Sequence, residues 1–213
     1  MDLYYMNNIY MLDIIVCHFN SLDFESFLEF TKDKIECNYF IYDKTKNYKN
    51  ENYKVIPSEN IGRESESYFS HIIQNYDNLN QYTLFIQDDT EHHIIDHELF
   101  LGECRTAIDT NEKFKLFATS WRKGCEPIYR EIIDGSHEVS CMFPSSDSIK
   151  KVCENNNINL PQSYVTETCA FFICHKDMIL SRPKDFYVRL NALLHENQNY
   201  GFVFEHMWKI IFA

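Results

Sequence analysis

The chain has 213 residues, 45% hydrophobic and 15% aromatic, with only 5 Gly and 5 Pro. That excludes a disordered or fibrous chain and supplies enough apolar material for one substantial core. With 20 Lys and Arg against 32 Asp and Glu, the net charge of -12 argues against nucleic-acid binding, because an acidic surface repels a phosphate backbone.

In chain order, residues 12–17 form a β-branched apolar run and read as a buried strand. It ends in His18-Phe19-Asn20. Ser21 or Asp23 can then cap a helix carrying Phe24, Phe27, Leu28 and Phe30. A second strand, 37–42, ends in Asp43-Lys44, and a polar loop leads to a short third strand at 53–57. Residues 58–64 open a helix with Tyr68, Phe69, Ile72, Ile73 and Tyr76 on one face, and the apolar strand 82–86 runs straight into Gln87-Asp88-Asp89. The second half is less regular. A helix is expected at 96–109, a strand at 115–120, a loop-rich stretch at 121–147 and a short helix near 148–156. A strand at 170–174 follows, with helical segments at 176–180 and 185–194 and a last helix carrying 205–211.

No run of about 18 apolar residues occurs, so no transmembrane segment is expected. The start, Met1-Asp2-Leu3-Tyr4-Tyr5, lacks the basic region of a secretory signal. The 8 cysteines include no Cys-x-x-Cys pair. They read as buried free thiols in a reducing, cytoplasmic compartment rather than as a zinc site. Abundant Asn, Ile, Tyr and Lys suggest an AT-biased genome.

Alternating strands and helices imply a parallel sheet covered on both faces. Ligands of such sheets bind beyond the carboxyl ends of the strands. His18 and Asn20, Asp43 and Lys44, and Gln87 to Asp89 all follow strands, so they are candidates for one site. The adjacent carboxylates Asp88 and Asp89 need a positive partner, for which a hard divalent ion is the usual solution. Arg63, at a helix start, can pair with a phosphate beside the helix's backbone donors. Asp43 is placed to accept from a base or ribose. His92, His93 and His97 close behind the acidic pair leave open a zinc hydrolase using Asp88, Asp89, His92 and His93. Trp121, Arg122 and Lys123 are candidates for an aromatic, basic lip.

Asp43, Asn60, Gly62 and Asp88-Asp89 fall in the order of the GT-A glycosyltransferases, which the first half resembles. Those enzymes carry a nucleotide-contacting Asp after the second strand, an Asn-x-Gly helix start and a strand ending in D-x-D. A less characterised glycosyltransferase-like family is similar over most of the chain. It shares Gly62-Arg63-Glu64, Arg182-Pro183-Lys184-Asp185-Phe186-Tyr187 and a C-terminal Glu205-x-x-Trp208-x-x-x-Phe212. Small glycosyltransferases of large DNA viruses are similar in size, which would place such a protein in a host cytoplasm. The sequence departs from the GT-A pattern in having no strict D-x-D, and His18-Phe19-Asn20 replaces the usual Pro-x-x-Asn.

The resemblance implies a single α/β domain of GT-A-like, Rossmann-like type, with a mixed, mostly parallel central sheet flanked by helices. Residues 12–95 would form the nucleotide-sugar half and 96–213 the acceptor half. It implies transfer of a hexose or deoxyhexose from a nucleoside diphosphate sugar, UDP-linked, to a glycan or glycoprotein acceptor. His18, Asn20, Asp43, Lys44, Asn60, Arg63 and Asp88 would contact the donor. Asp88, Asp89 and His206 would hold Mn2+ or Mg2+ to stabilise the leaving diphosphate. Glu167 or Glu205 would be the base on the acceptor hydroxyl. The missing D-x-D also admits a catalytically silent nucleotide-sugar or glycan-binding module.

Overall fold

The computed structural model describes residues 12–117, 129–133, 148–167 and 170–212. Its central strand is β1 (Leu12–His18), buried along its whole length. Helix α1 (Phe24–Lys32) follows, then β2 (Cys37–Asp43), β3 (Lys54–Pro57), α2 (Arg63–Asn75) and β4 (Tyr82–Gln87). The short α3 (Thr90–His93) and longer α4 (His97–Asp109) lead to β5 (Phe114–Leu116). The remainder comprises β6 (Tyr129–Ile133), α5 (Ser148–Asn156), β7 (Ser163–Glu167), β8 (Phe172–His175), α6 (Lys176–Leu180), α7 (Lys184–Glu196), α8 (Tyr200–Glu205) and α9 (Trp208–Ile211).

Six strands form one sheet in the order β3-β2-β1-β4-β8-β5, and β6 pairs with β7 in a small separate sheet. Alternation along the strands sorts side chains between two cores. Leu12, Ile14 and Val16 of β1 join Leu84 and Ile86 of β4 on the face covered by Phe24, Phe27 and Leu28 of α1 and Leu101 and Cys104 of α4. Ile15, Cys17 and Phe85 face the other way, toward Tyr68, Phe69 and Ile72 of α2 and toward Leu190, Phe204 and Trp208.

The sheet is mixed, and the expectation of a mostly parallel one is corrected. Strands β3, β2, β1 and β4 pair in parallel, whereas β8 is antiparallel to both β4 and β5. Helix α4 returns the chain to the direction of β4 for β5, but one strand's width is left between them. The apolar, fully buried β8 fills that gap in the opposite sense. Continuous apolar runs report burial on both faces and carry no information on direction.

Local details also differ. Asp23 stands at the N-cap of α1 but makes no side-chain cap bond. Instead Phe24 N donates to Asp88 O at 3.1 Å, tying the helix start to the end of β4. The C-terminal helix is two short pieces, α8 and α9, separated by His206 and Met207. The stretch read as loop-rich contains β6, and the strand expected at 115–120 is seen at 114–116, with 118–120 outside the described residues. Cys17, Cys104, Cys153 and Cys174 are buried free thiols and Cys37 is half-buried; burial pushes Cys17 up to about 12. Among the described residues, no helix is long and apolar enough to cross a membrane.

Candidate functional site

Strands β1, β2 and β4 end side by side, with His18 opposite Asp43 and Cys17 opposite Gln87. From β1 the chain moves outward through β2 and β3, then crosses back to β4 on the other flank. This reversal opens a crevice between the connections leaving β1 and β4. A pocket of about 490 Å3 lies there. Its walls include Asn20, Lys44, Asn60, Gly62, Arg63, Glu64, Gln87, Asp88 and Asp89, with Gln198, Asn199 and Phe202 from the C-terminal segment.

Asp88 is the anchor of the β1 turn. Its Oδ2 accepts from the backbone N–H groups of Phe19, Asn20 and Ser21 at 2.7, 2.8 and 2.9 Å, and lies 3.2 Å from His18 Nδ1. Burial alone would push its carboxyl up. The His18 contact and the three N–H donors outweigh that and hold it below the usual carboxylate range. This oxygen is saturated by the protein, so Asp88 shapes the wall on which Asn20 sits.

Asp43 and Lys44 are similarly occupied. Asp43 is buried; Oδ1 accepts from Thr45 N at 2.9 Å and Thr45 Oγ1 at 2.7 Å, and Oδ2 from Tyr48 N at 2.9 Å. It fixes the turn after β2 and does not line the pocket. His18 sits between the two acids, 3.9 Å from Asp43 Oδ1 through Nε2. An ammonium has three donors. Those of Lys44 reach Glu59 O at 2.7 Å, Ile61 O at 3.0 Å and Glu66 Oε2 at 3.2 Å. Lys44 therefore pins the segment leading into Gly62.

Gly62 and Arg63 both adopt left-handed backbone, with φ of 58° and 54°. A Cβ on Gly62 would lie 2.7 Å from a Leu194 methyl carbon, and one on Gly201 would lie 2.6 Å from the Gly62 carbonyl oxygen. The two glycines let α7 and α8 close directly on the start of α2. That contact delivers Phe202 to the pocket, where the Arg63 guanidinium lies 4.4 Å over its ring. The Arg63 side chain is 40% exposed and its Nε is 3.4 Å from Glu64 Oε2.

Asp89 lines the pocket with a partly exposed side chain. It hydrogen-bonds His92 Nδ1, and this bond raises the His92 pKa. Among the described residues, Asp23, Asp89 and His92 form a group whose ligand atoms all lie within 4.8 Å of one another. Two carboxylates and an imidazole are a donor set that a divalent ion such as Mn2+ or Zn2+ accepts. His206 lies elsewhere: it is buried, with Nδ1 2.9 Å from Phe202 O. Glu205 is buried beside it, and Glu167 ends β7; none of the three is among the described residues lining the pocket. His93 packs on Phe171, and the His97 ring packs on Phe27 and Phe30. The four-residue zinc grouping with Asp88 and His93 is thus not what the fold assembles. Trp121, Arg122 and Lys123 lie outside the described residues.

The pocket thus gathers Asn20, Lys44, Asn60, Arg63, Asp88 and Asp89, while His18 and Asp43 brace it from behind. Sequence reasoning missed Glu64, Asp23, Gln198, Asn199 and Phe202 as site residues. Gly201 in the otherwise bulky Tyr200-Gly201-Phe202 was the local signal of a close approach.

Fold and pocket define an α/β protein with a crevice at a topological switch point, the place where open α/β sheets bind ligands. The chain belongs to the family described as "Protein of unknown function (DUF3431)", whose model matches residues 14–213. Among curated proteins none matches the chain.

Proposed function

We propose that this protein is a glycosyltransferase, moving a hexose or deoxyhexose from a UDP-linked sugar to a glycan or glycoprotein acceptor. The observation that carries this reading is the meeting of Asn60-Ile61-Gly62-Arg63 with Asp88-Asp89 across one switch-point pocket. Its volume of about 490 Å3 is in the range of small-molecule sites. Arg63 offers a delocalised charge to a diphosphate. Asn20 and Asn60 offer amides to a base or sugar. Asp89, with Asp23 and His92, would hold Mn2+ or Mg2+, which supplies charge stabilisation to the departing diphosphate when bound. Phe202 of α8 forms the wall against which the Arg63 guanidinium packs.

One observation favours a second reading, a nucleotide-sugar or glycan-binding module without catalysis. Neither Glu167 nor Glu205, the carboxylates expected to act as base, is among the described wall residues. One assay separates the two. The protein is incubated with UDP- and GDP-sugars, Mn2+ and diverse acceptors, and release of nucleoside diphosphate is followed. Release that depends on the acceptor is expected. Binding of a sugar nucleotide with no release under any acceptor would leave the module and remove the enzyme.

A further inference from the structure

We propose that Glu64 is a ligand-binding residue, its carboxylate completed by a hydroxyl of the bound sugar nucleotide. This rests on the nucleotide-sugar reading of the pocket and names the ligand chemistry it selects. Glu64 borders the pocket, yet its side chain is only 4% exposed. Oε1 is buried and has no hydrogen-bond partner among the described residues. Oε2 has one, Arg63 Nε, at 3.4 Å, the outer limit of a hydrogen bond.

The neighbouring acids show how unusual this is. Glu66, two residues along the same helix, accepts from Lys44 Nζ, Ser58 Oγ and Ser70 Oγ. Asp43 accepts three hydrogen bonds, and Asp88 accepts from three backbone N–H groups. Among the described residues, Glu66, Asp43 and Asp88 around the pocket are each satisfied by the fold, and Glu64 at the helix start is not. A buried acceptor without a donor is costly and calls for a partner supplied from outside the chain. An ionised carboxylate accepts and does not donate, so the complementary group is a hydroxyl or amine. A sugar nucleotide offers hydroxyls from two sources, its ribose and its transferred sugar.

Glu64→Gln keeps the shape and removes the charge, leaving a weaker acceptor. Binding of UDP and of UDP-glucose, each with Mn2+, is measured calorimetrically for parent and variant, together with ligand-free urea midpoints. The variant is expected to bind about tenfold more weakly and to unfold at the same or a higher urea concentration when ligand-free, because a buried carboxylate held by one long contact to Arg63 has been replaced by a neutral amide. Equal weakening for both ligands assigns the hydroxyl to the ribose; weakening confined to UDP-glucose assigns it to the transferred sugar. Unchanged affinity for both, or a clearly lowered ligand-free midpoint, overturns the role of Glu64 alone. If the parent binds neither ligand, the nucleotide-sugar reading falls and this inference falls with it.

Discussion

Asp88 is legible in the sequence as important, and the fold gives it a structural task that the sequence does not show. The adjacent acids of Gln87-Asp88-Asp89 invite a shared metal. In the folded chain they part company. Asp88 turns inward to collect three backbone N–H groups and His18, and Asp89 turns outward to Asp23 and His92. A carboxylate that accepts several N–H bonds is held ionised, and its folded pKa is depressed. Its contribution to stability is therefore complete above the unfolded Asp value and is lost as pH falls through the folded value. Asp88→Asn removes the charge from these bonds and presents an amide that cannot satisfy the same donors equally. We expect a loss of about 2–3 kcal/mol at pH 7 and a shallower fall in stability on acidification than in the parent. Urea midpoints at pH 7 and pH 3.5 measure both. A variant within about 0.5 kcal/mol of the parent at pH 7 would show that the clamp is not holding the turn.

At the scale of elements, the first four strands and their helices were legible because each strand is a mainly apolar run bounded by polar residues, down to the short Val55-Ile56 of β3. The switch-point crevice follows from that order. The antiparallel insertion of β8 was not legible, since its Phe172-Ile173-Cys174 core reads the same in either direction. Nor was the pocket's far wall, which depends on packing between segments distant in sequence. The Arg182 and Trp208 motifs belong to that packing. Tyr76 donates to Arg182 O, and Trp208 stacks with Phe212, which in turn stacks on Tyr187 of α7. This aromatic block carries α7 and α8 onto α2, and the final approach is glycine against glycine. Gly201→Ala would place a methyl 2.6 Å from the Gly62 carbonyl oxygen, against backbone that cannot swing aside. Overpacking of this kind costs about 1–3 kcal/mol. It should also displace Phe202 and Gln198, so nucleotide binding falls although no ligand contact is altered. Thermal unfolding and titration of the same variant test this together. A variant that unfolds and binds like the parent would mean that α8 yields without moving the wall.

At the scale of the whole molecule, the acidic balance sets the condition for binding. The chain carries a net charge of -12. Three carboxylates, Glu64, Asp88 and Asp89, line the pocket against two cations, Arg63 and Lys44. Lys44 has spent its donors on Glu59, Ile61 and Glu66, and Glu66 neutralises it locally. A diphosphate entering this pocket meets a net negative field unless a divalent ion accompanies it. The Asp23, Asp89 and His92 group is where we propose that the ion binds. We therefore expect UDP to stabilise the protein with Mn2+ and to fail in excess EDTA. At a ligand concentration about 100 times Kd the gain is about 2.7 kcal/mol, a shift of about 5–10 °C for a chain of this size. Asp89→Ala should lose that shift while its ligand-free Tm stays near that of the parent, because the side chain is 41% exposed and, among the described residues, bonds only to His92. His92→Ala should weaken it less, since two carboxylates remain. Equal stabilisation by UDP in Mn2+ and in EDTA would remove the ion from the site and leave Arg63 and the backbone donors of α2 as the whole of the phosphate recognition.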